Sequence, residues 1–246
     1  MNMSFDMSAI KSTLAPLGHL RVAINLGNPV LAQRDDADGE LKGVSVDLAR
    51  AFASELEVPA KLHAYDAAGK VFEALEVGEW DLAFLAIEPV RAEKIAFSKP
   101  YVIIEGTYLV KTDSGFQGVA DLDKSGVTIG VGKGAAYDLY LSRTLSNATL
   151  VRAPTSAGAV DIFLAERLDA AAGVRQPLEQ FALQNDEVRV LIDSFTQIRQ
   201  AMAIPIQRAH AAAYVQDFIQ RHIGSGFVAE SLSKSGQGEV HVPPNL

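Results

Sequence analysis

The chain has 246 residues, 48% of them hydrophobic, with 22 Lys+Arg against 30 Asp+Glu and a formal charge of −8. At about 100–200 residues per domain this allows one large domain or two modest ones, and the chain is too apolar for disorder. The acidic balance argues against a general nucleic-acid binder, whose phosphate contacts need a basic surface. No apolar run approaches the roughly 18–20 residues that span a bilayer. The absence of cysteine removes disulfides, thiolate metal sites and cysteine nucleophiles together.

Residues 1–17 have no basic stretch followed by an apolar block, so they do not read as a secretory signal. The expectation is a cytosolic protein or one whose signal has been removed. Residues 20–25 (LRVAIN) read as a buried strand. Residues 45–56 then place Leu48, Phe52 and Leu56 on one helix face, with Ser45 as N-cap. A strand is expected over 60–65, and Asp66 is expected to cap a helix with a Val71, Phe72 and Leu75 stripe that stops at Gly78. Trp80 follows as a core residue, and strands are expected over 81–87 and 101–111. Strands alternating with helices argue for parallel α/β sheets.

The pattern then restarts. Strands are expected over 127–131, 149–152 and 169–173, with helices over 135–145 and 156–165 between them. A strand over 197–204, helices over 208–223 and 227–235, and a loose tail over 236–246 complete the chain. The basic residues from Arg208 to Arg221 read as a solvated helix face. The repetition implies two lobes, residues 1–109 plus 204–246 and residues 110–203, joined by extended segments near 108–112 and 201–204.

Several chemistries can be weighed on motifs. Gly130-Val-Gly-Lys-Gly-Ala135 lies between a strand and a helix and fits G-x-G-x-x-A, which is compatible with a dinucleotide site, a small-anion or ligand-backbone site, or a plain tight turn. Arg152 stands where an NAD site has an acid, leaving only an NADP reading, and Walker A fails because Gly134 follows Lys133. The five histidines are scattered without metal-ligand spacing, and no G-x-S-x-G elbow occurs. No metal or cofactor is expected. Residues 83–101 (AFLAIEPVRAEKIAFSKPY) are the informative stretch. They put Arg91 just past a buried strand, where α/β sheets present ligand-facing groups and an Arg fork holds a carboxylate bidentately.

At this stretch the chain resembles the bacterial extracellular solute-binding proteins of family 3, which deliver amino acids and related small molecules to ABC transporters. The resemblance is carried by LRVAIN, GELKGVSVDLARAFASEL, ALEVGEWDLAFLAIEPVRAEKIAFSKPY, VTIGVGKGAA, FLAERLDAAAG and GSGFVAESLSKSG, in order from about Leu20 to Gly236. It implies a two-lobe α/β fold of the type II periplasmic-binding-protein kind, each lobe a mostly parallel sheet flanked by helices. A double-strand hinge would let the ligand close the cleft. It also implies a permease partner, a periplasmic location and a monomer.

Carried across residue by residue, the resemblance matches Arg91 to the arginine that clamps the ligand carboxylate. The aromatic that covers the ligand falls at Asn28, and a second wall falls at Asp66. The hydroxyl-bearing positions of the first lobe fall at Phe84 and Ala86, and those of the second lobe at Ala135 and Ala136. The acid that pairs with a ligand ammonium falls at Val174, with Arg175 beside it, and Glu88 stands where the family has Thr. Burying an unpaired ammonium costs several kcal/mol, so a compensation is expected. Either Asp66 or Glu88 supplies the charge and the ligand is an amino acid or derivative, the reading preferred here, or Arg175 joins Arg91 on an acid without an ammonium. An alternative reading is a dehydratase of the cyclohexadienyl-dehydratase type with Glu88 as general acid, or a detached sensor domain.

Overall fold

A computed structural model describes residues 5–35 and 37–244. The chain opens with α1 (Met7–Leu14), β1 (Leu20–Asn25), the short ribbon β2 (Gln33–Arg34) and β3 (Leu41–Lys42), and α2 (Val44–Glu55). It continues through β4 (Ala60–Tyr65), α3 (Ala68–Glu76), β5 (Leu82–Ala86), α4 (Pro89–Ala92) and the long β6 (Ile95–Lys111). Then come β7 (Thr128–Gly132), α5 (Ala136–Thr144), β8 (Thr149–Ala153), α6 (Ser156–Ala165), β9 (Ala170–Val174) and α7 (Arg175–Ala182). The last elements are β10 (Val188–Val190), β11 (Thr196–Pro205), α8 (Ala212–Gly224) and α9 (Phe227–Lys234).

The strands join in the order β4-β1-β5-β11-β6-β9-β7-β8, with β10 on β6. The two ends of this sheet are parallel: β4, β1 and β5 at one, β9, β7 and β8 at the other. Helical crossovers make parallel pairing possible, and they cover the sheet faces. The centre is antiparallel, through β5–β11, β11–β6 and β6–β9. Strand β6 pairs with β11 from Ile95 to Gly106 and with β9 from Gly106 to Val110. Glycine sits at that change of partner, and a Cβ on Gly106 would lie 2.8 Å from the Phe195 ring and 2.9 Å from the Thr196 methyl, so those side chains would have to shift.

Three apolar clusters hold the layers. The largest joins β1 and α2 to α8, where Phe52 meets Phe218 edge-on at 4.8 Å. A second gathers Val71, Trp80 and Leu85 on the opposite face of β5, with the Trp80 indole donating to Val71 O at 2.8 Å. The third sets Val160, Phe163 and Leu178 against Leu109.

At the start of β5, the fully buried Asp81 accepts from Arg21 backbone N (3.0 Å), Arg21 Nε (2.9 Å) and Arg21 Nη2 (2.7 Å), and from Arg208 Nη1 (2.7 Å). Burial pushes this carboxyl upward, but the hydrogen bonds from Arg21 and Arg208 outweigh it and hold the group below the usual Asp range. Arg208 therefore ties the turn before α8 to the β1–β5 edge and is not part of a solvated helix face.

Other local expectations are corrected by packing. Helix α2 begins one residue before Ser45, after Gly43 at φ 111°, where a Cβ would strike Leu31 O at 2.6 Å. Ser45 is buried and its hydroxyl bonds to Tyr101 (3.1 Å) instead of capping. Asp66 does not cap α3, whose N-cap is Ala67, and it pairs with Lys70 at 2.7 Å. The segment after α9 is not loose: Val240 is buried and Ile103 N donates to His241 O at 2.9 Å, although residues 245–246 of the expected tail lie outside the described ones. Helix α1 was not expected, yet Asp6 caps it through the N–H groups of Ser8 (3.0 Å) and Ala9 (3.1 Å), and Ile10 and Leu14 are buried.

Candidate functional site

The apolar strand β5 ends at Ala86, and α4 begins with Glu88 as N-cap and Pro89 in its first turn. Proline suits that position because its missing N–H is not needed there. This short turn carries Arg91 back under the strand end, where it is fully buried. Its Nη1 donates to Ala86 O at 3.0 Å and its Nη2 to Gly134 O at 2.9 Å, on the β7–α5 turn of the other half of the sheet. Nε has no partner. Burial pulls the guanidinium down to about 10, against an upward pull from Glu88, so Arg91 remains a cation at neutral pH.

The approach of the two halves depends on glycine. A Cβ on Gly134, at φ 71°, would lie 2.8 Å from Gly69 Cα, and one on Gly69 would lie 2.7 Å from Lys133 O. Beside this contact Arg91, Asn28, Ala86, Ala135, Ala136 and Val174 surround one cavity of about 30 Å³, space for about two waters. Asn25, Tyr137, Ser156 and Gln200 also line it and were not expected. Asn28 is buried with Oδ1 unpartnered, while Asn25 Oδ1 accepts from Gly27 N at 3.0 Å. Tyr137 OH donates to Ser156 Oγ at 2.9 Å. Helix α5 starts at the cavity and has no side-chain cap on its first N–H groups, so its positive end faces inward.

A larger groove of about 550 Å³ adjoins the cavity and shares Gly27, Ser156 and Val174 with it. Its walls include Leu26, Pro29, Val160, Leu178 and Phe181, with Asp66 and Asp161 also on its border.

The remaining expected residues stand elsewhere. Phe84 is buried in the core, edge-on to Tyr101 at 5.9 Å. Arg175 turns away: Nε donates to Glu105 at 2.6 Å, and its other nitrogens reach the carbonyls of Leu191, Ile192 and Asp193. Glu88 is outside the cavity lining and accepts from Arg143 Nη1 at 2.6 Å, joining α4 to α5 across the sheet halves.

The glycine-rich turn is likewise spoken for. Gly134 N donates to Asp138 (2.8 Å), Gly132 N to Tyr137 OH (3.3 Å), and Arg152 pairs with Asp138 at 3.0 Å. Neither the turn nor Arg152 is disposed for a dinucleotide, and Gly134 serves the close approach to Gly69. Among the described residues, no group of three or more His, Cys, Asp or Glu is placed to hold a metal. No helix among them is long and apolar enough to cross a membrane.

Residues 20–235 match the model of the bacterial extracellular solute-binding proteins, family 3. The chain belongs to that family. An amino-acid ABC transporter substrate-binding protein from Streptococcus pneumoniae, solved bound to L-arginine, has the same fold. It superposes with a TM-score of 0.78 at 23% identity, covering 95% of this chain and 99% of that one. The arginine-binding periplasmic protein of Mannheimia haemolytica is 28% identical over 109 residues, 43% of this chain and 42% of that protein. The membrane-bound lytic murein transglycosylase F of Maricaulis maris (strain MCS10) is 35% identical over 92 residues, 37% of this chain and 20% of that protein. The matched segments thus span less than half the length of these curated relatives.

Proposed function

We propose that this family 3 protein is the solute receptor of an ABC-type importer and closes on a small carboxylate held by Arg91. The observation that carries the reading is a buried guanidinium with an unpartnered N–H, on a residue that lines a cavity between two halves of the sheet. A buried cation left without a counter-ion is costly, and a carboxylate supplies both the charge and the missing acceptor. The uncapped start of α5 adds a second source of positive potential at the same place. Relatives described as binding arginine support a ligand of the amino-acid class or a derivative of one.

In this reading Arg91, Asn28, Ala86, Ala135, Ala136 and Val174 contact the ligand. The two lobes, residues 1–109 plus 204–246 and residues 110–203, hinge about β6 and β11, and β6 exchanges partners at Gly106 close to that boundary. The protein binds and releases without turnover, acts as a monomer outside the inner membrane, and passes its ligand to a permease. The family's extracellular character supports the location.

A thermal-shift screen over amino acids, keto acids, dicarboxylates and polyamines tests the proposal. Binding raises stability by about 2.7 kcal/mol at a hundredfold excess over Kd. Carboxylates are expected to raise the melting temperature and polyamines to leave it unchanged. A response to polyamines alone would sink the Arg91 reading.

A further inference from the structure

The Arg91 cation faces a cavity whose wall carries, among the described residues, no Asp or Glu. The acids that could have met a ligand ammonium are engaged elsewhere: Glu88 by Arg143 and Asp66 by Lys70. Arg175 is consumed by Glu105 and three carbonyls, so it adds no second cation to the cavity. The wall therefore presents a single positive charge. Two of its lining residues, each at least nine-tenths buried, carry an unmatched polar atom, the donor Arg91 Nε and the acceptor Asn28 Oδ1. A carboxylate satisfies the first. The second needs an N–H or O–H, and a neutral one suffices, whereas an ammonium would be buried against an uncharged amide.

The space beside this polar end is apolar. The adjoining groove of about 550 Å³ meets the cavity at Gly27, Ser156 and Val174 and is walled by Leu26, Val160, Leu178 and Phe181. Its acids stand toward water: the Asp66 side chain is 58% exposed and paired with Lys70, and Asp161 is exposed on α6. Exposed charges of this kind contribute little to holding a cation.

Building on the receptor reading above, we propose that the ligand is a monocarboxylate with a neutral hydrogen-bond donor in place of the ammonium and an apolar substituent. Its carboxylate lies on Arg91, its hydroxyl or amide N–H on Asn28 Oδ1, and its substituent in the Leu26–Phe181 groove. A 2-hydroxy or N-acylated analogue of an apolar amino acid has this chemistry.

Isothermal titration calorimetry on the full chain with four probes tests each part. 3-Phenyllactate and L-phenylalanine differ at one carbon, hydroxyl against ammonium, while lactate lacks the ring and L-arginine carries a cationic arm. The expected order places 3-phenyllactate at least tenfold tighter than each of the other three, and Phe181→Ala reduces its advantage over lactate. Equal or tighter binding of L-phenylalanine or L-arginine overturns the inference and leaves the receptor reading standing. Lactate binding as well as 3-phenyllactate overturns the assignment of the groove. Silence from all four acids, in protein that melts cooperatively, overturns the inference and the receptor reading together.

Discussion

The two ends of β5 each bury a charge, and they treat it in opposite ways. At the start of the strand Asp81 accepts hydrogen bonds from both Arg21 and Arg208. Past its end Arg91 meets only two carbonyls and keeps a free Nε. A satisfied buried charge fixes the positions of the elements that satisfy it, here β1, β5 and the turn before α8. An unsatisfied one is a standing demand for a counter-ion. Ten residues apart in one motif, the first charge is paired within the fold and the second keeps an unpartnered N–H.

Removing each charge should separate these roles. Asp81→Ala leaves two arginines facing an emptied pocket, and loss of one member of a buried pair costs about 3–5 kcal/mol. Urea unfolding should show that loss, while the protein still folded keeps its ligand affinity. Arg91→Met, close in volume, should do the reverse. Calorimetry is expected to register a loss of binding of about 2–5 kcal/mol, the cost typical of truncating one partner of a buried charge pair. The denaturation midpoint without ligand should be no lower than in the parent. A clear fall in that midpoint would mean that Arg91 is as structural as Asp81.

Acid sharpens the same contrast. Because the folded Asp81 carboxyl is held below its unfolded value of about 3.9, its contribution is complete above that pH. It disappears as the pH falls through the lower folded value. The stability gap between parent and Asp81→Asn should therefore narrow as the pH falls below about 4 in urea titrations. A gap independent of pH would show that hydrogen bonding, not charge, holds this end of β5.

The smallest effect concerns the contact across the halves. Glu88→Gln weakens the ion pair with Arg143, whose side chain is 42% exposed, so about 0.2–1 kcal/mol is at stake. Small-angle scattering should record a slightly more open average shape, and ligand affinity should drop a few-fold at most. A loss as large as that of Arg91→Met would place Glu88 in the binding site after all.

Much of this was legible from local pattern. The alternation of strands and helices, the Val71 stripe, Trp80 and the position of Arg91 past β5 all follow from periodicity and strand ends. Helix α1 also carries a local signal, Asp6 ahead of Ile10 and Leu14 spaced i, i+4, within a stretch too short and polar to stand out by apolar content. Ser45 and Phe84 were misplaced for another reason: both meet Tyr101, and the Ser45 contact spans 56 residues of sequence. The docked segment around Val240 depends on the β6 edge at Ile103, which its proline-rich sequence does not announce.

By itself the sequence determined the α/β class, the family and the place of Arg91 just past a buried strand, because these rest on short-range spacing and motif. Which charges find partners within the chain was decided only in three dimensions. Glu88 finds Arg143 across 55 residues and Asp81 finds Arg208 across 127, and Arg175 folds onto carbonyls between its own helix and β11. Burial and pairing are set by neighbours brought together by the sheet, so the same acids that look available along the chain are occupied once it folds.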